Sequence, residues 1–470
     1  MSSTPKRVMS VFSLVMLNII AVDSLRSLPF GAEYGFSLVF YYLVATLVFF
    51  IPTAIISAEL ATGWSKNGGI YIWVREAFGI RWGMAVIWLQ WIYNICWYPT
   101  IMSLLAATLA YMINPALVQD KSYMLTVVII LFLGTTIVNC FGMRVSSKLT
   151  NIAAMLGSIV PMVMISVLGC IWVSHGRPIN VDFSWHSFFP HVTSIGTLVL
   201  LTNVLYSLVG MEMSAIHAQD VKDPQRSYPR ALLWSTVIIL VTLIGGSLAI
   251  AIVIPHQKIQ LMTGMLELFY TFFAAYHIAW MNSIIGACII LGGLGGVAAW
   301  VLGPSKGLLI AAEDGALPRW LQKTNRFQAP VAILAAQAVL FLLICGVFLL
   351  MPTVNSSYWI LSNITAILSL LAYLFMFAAA VRLRYSYPDV FRAYRVPFGN
   401  TGMWVVAIMG SLSCIITIII GFWPPVGIDV GNIWHYEAYL VGGVLIFCIA
   451  PFIIYACRKP HWIQNSTVTD

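Results

Sequence analysis

The stretch AVDSLRSLPFGAEYG, residues 21–35, decides how this chain is read. It completes an apolar segment running from Val8 to Phe30. Asp23 and Arg26 fall where a simple membrane span would still lie in hydrocarbon. One charged side chain at the centre of a spanning helix costs about 2.5–3.5 kcal/mol on insertion scales. Pro29 and Gly31 follow at once, and both are poor residues for continuing a helix. A span that carries charge and can break reads as a helix interrupted for a purpose. The plainer reading is that Asp23 and Arg26, one turn apart, neutralise each other.

The rest of the chain says that the solvent is lipid. Of its 470 residues 60% are hydrophobic and only 9% charged, and its mean hydropathy is +0.91. Soluble domains carry about 25% charged residues. The 17 Trp and 20 Tyr suit interfacial belts. Lys6 and Arg7 precede an apolar run without a small-residue cleavage site, so a cleaved signal peptide is not expected. Eight cysteines (96, 140, 170, 288, 345, 414, 448, 457) lie scattered in apolar segments without metal-ligand or redox spacing, and packing is the role expected of each.

Segments of about 20 apolar residues can be laid at 8–30, 36–62, 82–113, 122–142, 148–174, 191–218, 230–254, 277–311, 330–351, 357–383, 402–423 and 434–457. These make twelve spans, joined by short polar links. With the N-terminus inside, twenty of the 24 Lys and Arg fall on the cytoplasmic side, while Lys121, Arg177 and Lys258 fall outside and Arg26 stays in the membrane. The positive-inside rule is thereby met, and both termini are expected in the cytoplasm. The formal charge of +8 then serves orientation and anionic lipid, and no nucleic-acid partner is expected.

A second interruption lies in the sixth span, LLTNVLYSLVGMEMSAIHAQDVKDPQRSYPRA, where Gly210 and Glu212 stand near mid-membrane. Interrupted helices at corresponding places in two halves are the best sequence pointer to a transporter's midplane site. Spans one and six correspond if helices 1–5 and 6–10 form an inverted repeat. Close helix packing would explain the glycine but not the carboxylate beside it.

No HExxH pair, calcium loop, nucleophile elbow or Walker loop occurs, so no metal or other cofactor is expected and the chain does not read as an enzyme. Gly293-Leu-Gly295-Gly296-Val-Ala298 matches a dinucleotide fingerprint but sits inside a hydrophobic span without a preceding strand; small residues for helix contact fit better.

Several motifs agree: IPTAIISAELAT (51–62), SAELATGWSKNGGIYIWVREAFG (57–79), the Gly210-Met-Glu212 break with QDVKDPQRSYPRA (219–231), WVLGPSKGLL (300–309), YPDVFRAYRVPFG (387–399) and FWPPVGI (422–428). Together they resemble the amino acid–polyamine–organocation transporters, most of all the bacterial glutamate/GABA antiporter family, over nearly the whole chain. The resemblance implies an all-α integral membrane protein of twelve helices with the LeuT-type five-plus-five inverted repeat. Residues 1–174 and 175–383 would be the repeats, and 384–470 would add two helices and a short tail.

The resemblance also implies a substrate site between broken helices one and six, where free backbone groups at helix breaks bind both ends of a zwitterion. Carried over by position, the substrate-binding candidates are Val22, Asp23, Ser24, Arg26, Ser27, Tyr93, Asn94, Trp97, Tyr206, Gly210 and Trp300, with Glu212 and Tyr373 as gating or proton-linked groups. Each aromatic has an alternative role as interface anchor or core filler. Arg26 and Ser27 stand where the antiporters carry a tyrosine- and glutamate-bearing segment, and the substrate difference is expected there. Lys148 and Asn151 occupy the region where some proton-coupled relatives place a lysine, and ion coupling is left open. The chain ends in HWIQNSTVTD soon after the last span, so a C-terminal plug is not expected.

The expected function is therefore exchange of one amino acid for a counter-substrate by alternating access, in a bacterial inner membrane. A proton-coupled amino acid or amine permease of the same fold is the alternative. A non-transporting sensor, a membrane-embedded enzyme and a channel are remoter readings.

Overall fold

The computed structural model describes residues 10–64, 68–141, 155–212, 221, 223–426 and 428–462. It is all-helical. Among these residues ten helices are long and apolar enough to cross a membrane: Gly35–Gly63, Ile80–Ile113, Lys121–Asn139, Leu156–Ser174, Arg226–Val253, Met281–Glu313, Val331–Leu350, Val354–Ser386, Gly399–Gly421 and Ile433–Ala456. With the bent pair described next they are referred to as spans 2–5 and 7–12. Their edges fall within about four residues of those expected from hydropathy, except the start of span 5, whose expected residues 148–154 lie outside the described set.

Span 1 is the pair Val11–Val22 and Leu25–Ala32, bent by 46°. The first half ends because Asp23 and Ser24 adopt extended backbone. A 3-10 turn, Leu25–Ser27, restarts the chain, and Pro29 sits in the first turn of the second half, where its missing N–H costs no helical bond. The counterpart between spans 5 and 7 is the short apolar helix Ile195–Tyr206, which is too short to cross alone. It unwinds through Ser207–Gly210, and residues 213–220 lie outside the described set, as do Lys148 and Asn151.

Spans 3 and 10 form the interior. In their most apolar stretches 78% and 72% of residues are buried inside the protein, against 28% and 17% in spans 11 and 12. Both halves of span 1 pack on span 7, and span 8 packs along span 3. The Gly292–Gly296 region allows close approach on two sides, to span 5 and to span 3. A Cβ at Gly157 would lie 2.3 Å from the Gly292 Cα, and one at Gly293 would lie 2.5 Å from Leu105 Cδ2. The dinucleotide-like fingerprint thus sits in a packed helix contact.

At the Arg/Lys-rich end, Glu59 at the end of span 2 is buried among cations. Its Oε1 pairs with Arg384 and lies 3.3 Å from Arg392 Nε, while Oε2 accepts from the Val396 N–H at 2.7 Å. Breaking such a buried cluster by removing one partner costs about 3–5 kcal/mol. Glu59→Ala is therefore expected to lower the melting temperature of the purified protein without altering substrate preference. A change in preference at full stability would contradict this structural role.

Candidate substrate site between the two breaks

The two interruptions meet. Gly210 has φ +128°, a region open to glycine, and a Cβ there would lie 2.7 Å from the carbonyl oxygen of Ala21 in the last turn before the span 1 break. Beside this crossing lies a cavity of about 50 Å³, lined by Ala21, Val22, Ser24, Arg26 and Ser27 of span 1 and Tyr206, Ser207 and Val209 at the other break. Span 3 adds Tyr93, Asn94 and Trp97, and span 8 adds Trp300. The Trp97 and Trp300 rings stand edge to face at 6.3 Å, and Tyr98 donates to the Trp300 carbonyl at 3.0 Å.

Asp23 and Gly210 do not line this cavity. Asp23 points to span 7, where Thr242 Oγ1 donates to its Oδ2 at 2.9 Å. Arg26 points to span 10, its Nη1 donating to Ser362 Oγ at 2.9 Å. The two charges do not pair, because extended Asp23 and Ser24 and the 3-10 turn after them replace the helical geometry that would stack positions three apart.

Arg26 is 2% exposed, and among the described residues no carboxylate comes within 4 Å of its guanidinium. Aromatic faces surround it instead: Tyr206 at 5.3 Å, Phe30 at 5.9 Å and Tyr358 at 6.0 Å from the guanidinium carbon. Such rings attract a cation by roughly 0.5–2 kcal/mol each, but they cannot neutralise it. Among the described residues Nε has no hydrogen-bond partner. The cavity thus has a fixed positive charge in its wall, with donors to spare for an anion.

Glu212 and Tyr373 lie off the cavity and are joined to each other. Tyr373 donates to Glu212 Oε2 and accepts from the Gly210 N–H at 3.1 Å. One hydroxyl thereby ties span 10 to both the glycine and the carboxylate of the second break. Among the described residues no three His, Cys, Asp or Glu side chains gather to hold a metal.

The profile of the amino acid permease family matches residues 8–453. The chain belongs to that family. The permease is 48% identical over 448 residues to an uncharacterized transporter of Legionella pneumophila, covering 95% of this chain and 96% of the relative. It is 30% identical over 452 residues to the glutamate/gamma-aminobutyrate antiporter of Lactococcus lactis strain IL1403, covering 95% and 90%. A protein of the same strain named as a probable agmatine/putrescine antiporter is 22% identical over 454 residues, covering 96% and 95%. The family and these relatives are transporters, and the permease is a multi-pass membrane protein.

Sequence reasoning missed the residues that hold Arg26, namely Ser362, Tyr358 and Phe30. A hydroxyl at 362 inside the apolar run of span 10 was the available signal. It also missed a larger cavity of about 430 Å³ at the end opposite the Arg/Lys-rich one, lined in part by Glu33, Tyr34, Tyr41, Asp182, His191 and His256. Glu33, just past span 1, lies 3.3 Å from His256 Nε2, and burial pushes its carboxyl up to about 7. A raised carboxyl favours the folded permease fully below the ordinary value of 4.5 and loses that contribution as pH rises through about 7. Wild type is therefore expected to lose more thermal stability than Glu33→Gln between pH 5 and pH 8. Equal losses would contradict a buried Glu33 carboxyl.

Proposed function

We propose that the permease is an amino acid exchanger working by alternating access, and that Arg26 is the counter-charge for a carboxylate of its substrate. The observation carrying this is the buried guanidinium in the cavity wall with no carboxylate of the described protein beside it. A buried unpaired charge is costly, and in a membrane protein such groups mark substrate pathways. A carboxylate is the planar, bidentate partner that the guanidinium fork fits.

The 30% identity to glutamate/gamma-aminobutyrate antiporters supports exchange and a carboxylate-bearing substrate. A fixed cation beside the site disfavours polyamines, which bring only positive charge. Val22, Ser24, Ser27, Tyr93, Asn94, Trp97, Tyr206 and Trp300 form the remaining walls under this reading. Glu212 and Tyr373 act as a gate, since separating the second break from span 10 breaks their shared hydrogen bonds. The inverted halves are residues 1–174 and 175–383, with 384–470 outside them. The orientation in a bacterial inner membrane places the Arg/Lys-rich end and both termini in the cytoplasm.

The test is uptake of labelled glutamate by proteoliposomes loaded with glutamate, with gamma-aminobutyrate, with putrescine, or with nothing. Uptake that requires an internal amino acid and is not supported by putrescine is expected. Equal uptake into empty vesicles would overturn exchange in favour of the proton-coupled alternative, whose mark is accumulation driven by a pH gradient alone.

A further inference from the structure

Residues 183–189 read FSWHSFF, and four of the seven are Phe or Trp. They follow span 5 at the end opposite the Arg/Lys-rich one, around the one-turn helix Trp185–Phe188. Trp185 is 75% exposed, and Phe183 and Phe189 are 42% and 44% exposed. The turn is nevertheless braced. Asp182 Oδ1 accepts from the Ser184 N–H at 2.9 Å, and its Oδ2 accepts from the hydroxyls of Ser184 and Ser187 at 2.6 Å each. The Ser187 N–H donates back to Ser184 Oγ at 3.3 Å. A fixed turn therefore holds large apolar rings outward, which contact with water alone would disfavour.

The rings extend a surface that already belongs to the membrane. Phe188 meets Phe36 at 5.8 Å and Phe40 at 5.9 Å, both in the first turns of span 2, and Phe183 meets Phe36 at 5.2 Å. Trp185 stacks on Phe188 at 5.3 Å. Further along span 2, Leu43, Val44, Leu47 and Ile51 are exposed. With Phe40 their spacing of three and four puts them on one helical face. On a helix that crosses a bilayer, that face meets lipid, and the ring array continues it. Span 2 has 29 residues, about 43 Å at 1.5 Å each, against about 30 Å of hydrocarbon. Centred, it leaves about four residues beyond the hydrocarbon at each end. Phe36 then stands in the headgroup layer, and Phe40 at its boundary with the acyl chains.

We propose that this aromatic turn is seated in the lipid leaflet at that end, its rings among the headgroups and upper acyl chains. Trp and other amphipathic aromatics favour that layer, where one side of a segment is apolar and the other wet. The turn has both sides. Asp182, Ser187 and His191 line the cavity of about 430 Å³, whereas Phe183, Trp185 and Phe188 do not. Lipid therefore backs a turn whose other side faces the cavity. Past His191 the chain enters the 3-10 turn Ile195–Leu198 and then Leu201–Tyr206, which leads to the second break. One end of this segment is thus held by lipid, and the other crosses span 1 at Gly210 and Ala21.

The contact can be read without any transport, so its failure is separable from failure of the exchanger reading. The full-length protein is placed in nanodiscs of phosphatidylcholine that carries bromine high on the acyl chain, deep on the acyl chain, or not at all. Emission of wild type minus that of Trp185→Phe isolates Trp185 among the 17 tryptophans. Bromine quenches an indole that touches it. The difference emission is expected to fall by at least about half with the shallow bromines, as for a ring in the interfacial layer. Deep bromines are expected to quench it less, and aqueous iodide only weakly. A difference emission that neither brominated lipid lowers would overturn the proposal. Full quenching by iodide would then put Trp185 in water, and protection from iodide would put it against a second copy of the chain. If Trp185→Phe cannot be purified, Phe183→Trp adds an emitter to the same rings, and its gain over wild type is judged by the same outcomes.

Discussion

Replacing Arg26 by alanine is expected to lower kcat/KM for exchange by about 150- to 5,000-fold while leaving the melting temperature of the substrate-free protein unchanged or higher. Withdrawing one partner from a buried charge pair costs about 3–5 kcal/mol, and 1.36 kcal/mol is a factor of ten. On the reading proposed above, the missing partner is the substrate. Without substrate, the guanidinium has Ser362 and three aromatic faces but, among the described residues, no counter-charge, so its removal is expected to relieve the folded protein. A residue that raises activity while straining the fold is the mark of a binding group. Arg26→Lys is expected to recover part of the exchange, since it restores charge but not the fork. Proteoliposome kinetics and thermal melts on the same preparations check both halves. Loss of stability in Arg26→Ala would assign the residue to the scaffold instead.

The second large effect is expected at Gly210. Alanine there meets two obstacles at once. The backbone at φ +128° costs a side-chain-bearing residue about 1–3 kcal/mol. The new methyl would also lie 2.7 Å from the Ala21 carbonyl oxygen, a backbone atom held by its helix. Neither partner can swing aside as a flexible side chain would, so the two breaks must separate. The Gly210 N–H to Tyr373 bond and the Tyr373 to Glu212 bond go with them. Exchange is expected to fall at least tenfold, and the melting temperature to fall as well. Gly296→Ala, in span 8 with nothing within 4 Å of its added Cβ, is the matched control and should be near neutral. Equal behaviour of the two variants would remove the crossing of the breaks from the mechanism.

The membrane spans were legible because hydrocarbon demands long apolar helices and leaves few other solutions. The second break was legible for a related reason: Gly210 and Glu212 are conspicuous inside lipid. What could not be read was direction. Asp23 and Arg26, three apart, share a face on any regular helix, and their divergence to Thr242 and Ser362 depends on two extended residues that no periodicity announces. Tyr358 and Ser362 are more than 330 residues from Arg26 along the chain, as Arg384 is 325 from Glu59. Such meetings are set by how spans pack. Hydropathy, which counts residues one span at a time, carries no trace of them.

The lone guanidinium also bears on leakage. Under the exchanger reading proposed above, a carrier that has released its cargo turns round with Arg26 bare inside the bilayer, whereas a loaded one turns with that charge masked. At the 2.5–3.5 kcal/mol cost of a central charge, the empty return is slower by about two orders of magnitude. On that reading tight one-for-one stoichiometry needs no separate lock: a single unmatched side chain makes idle cycling the slow route.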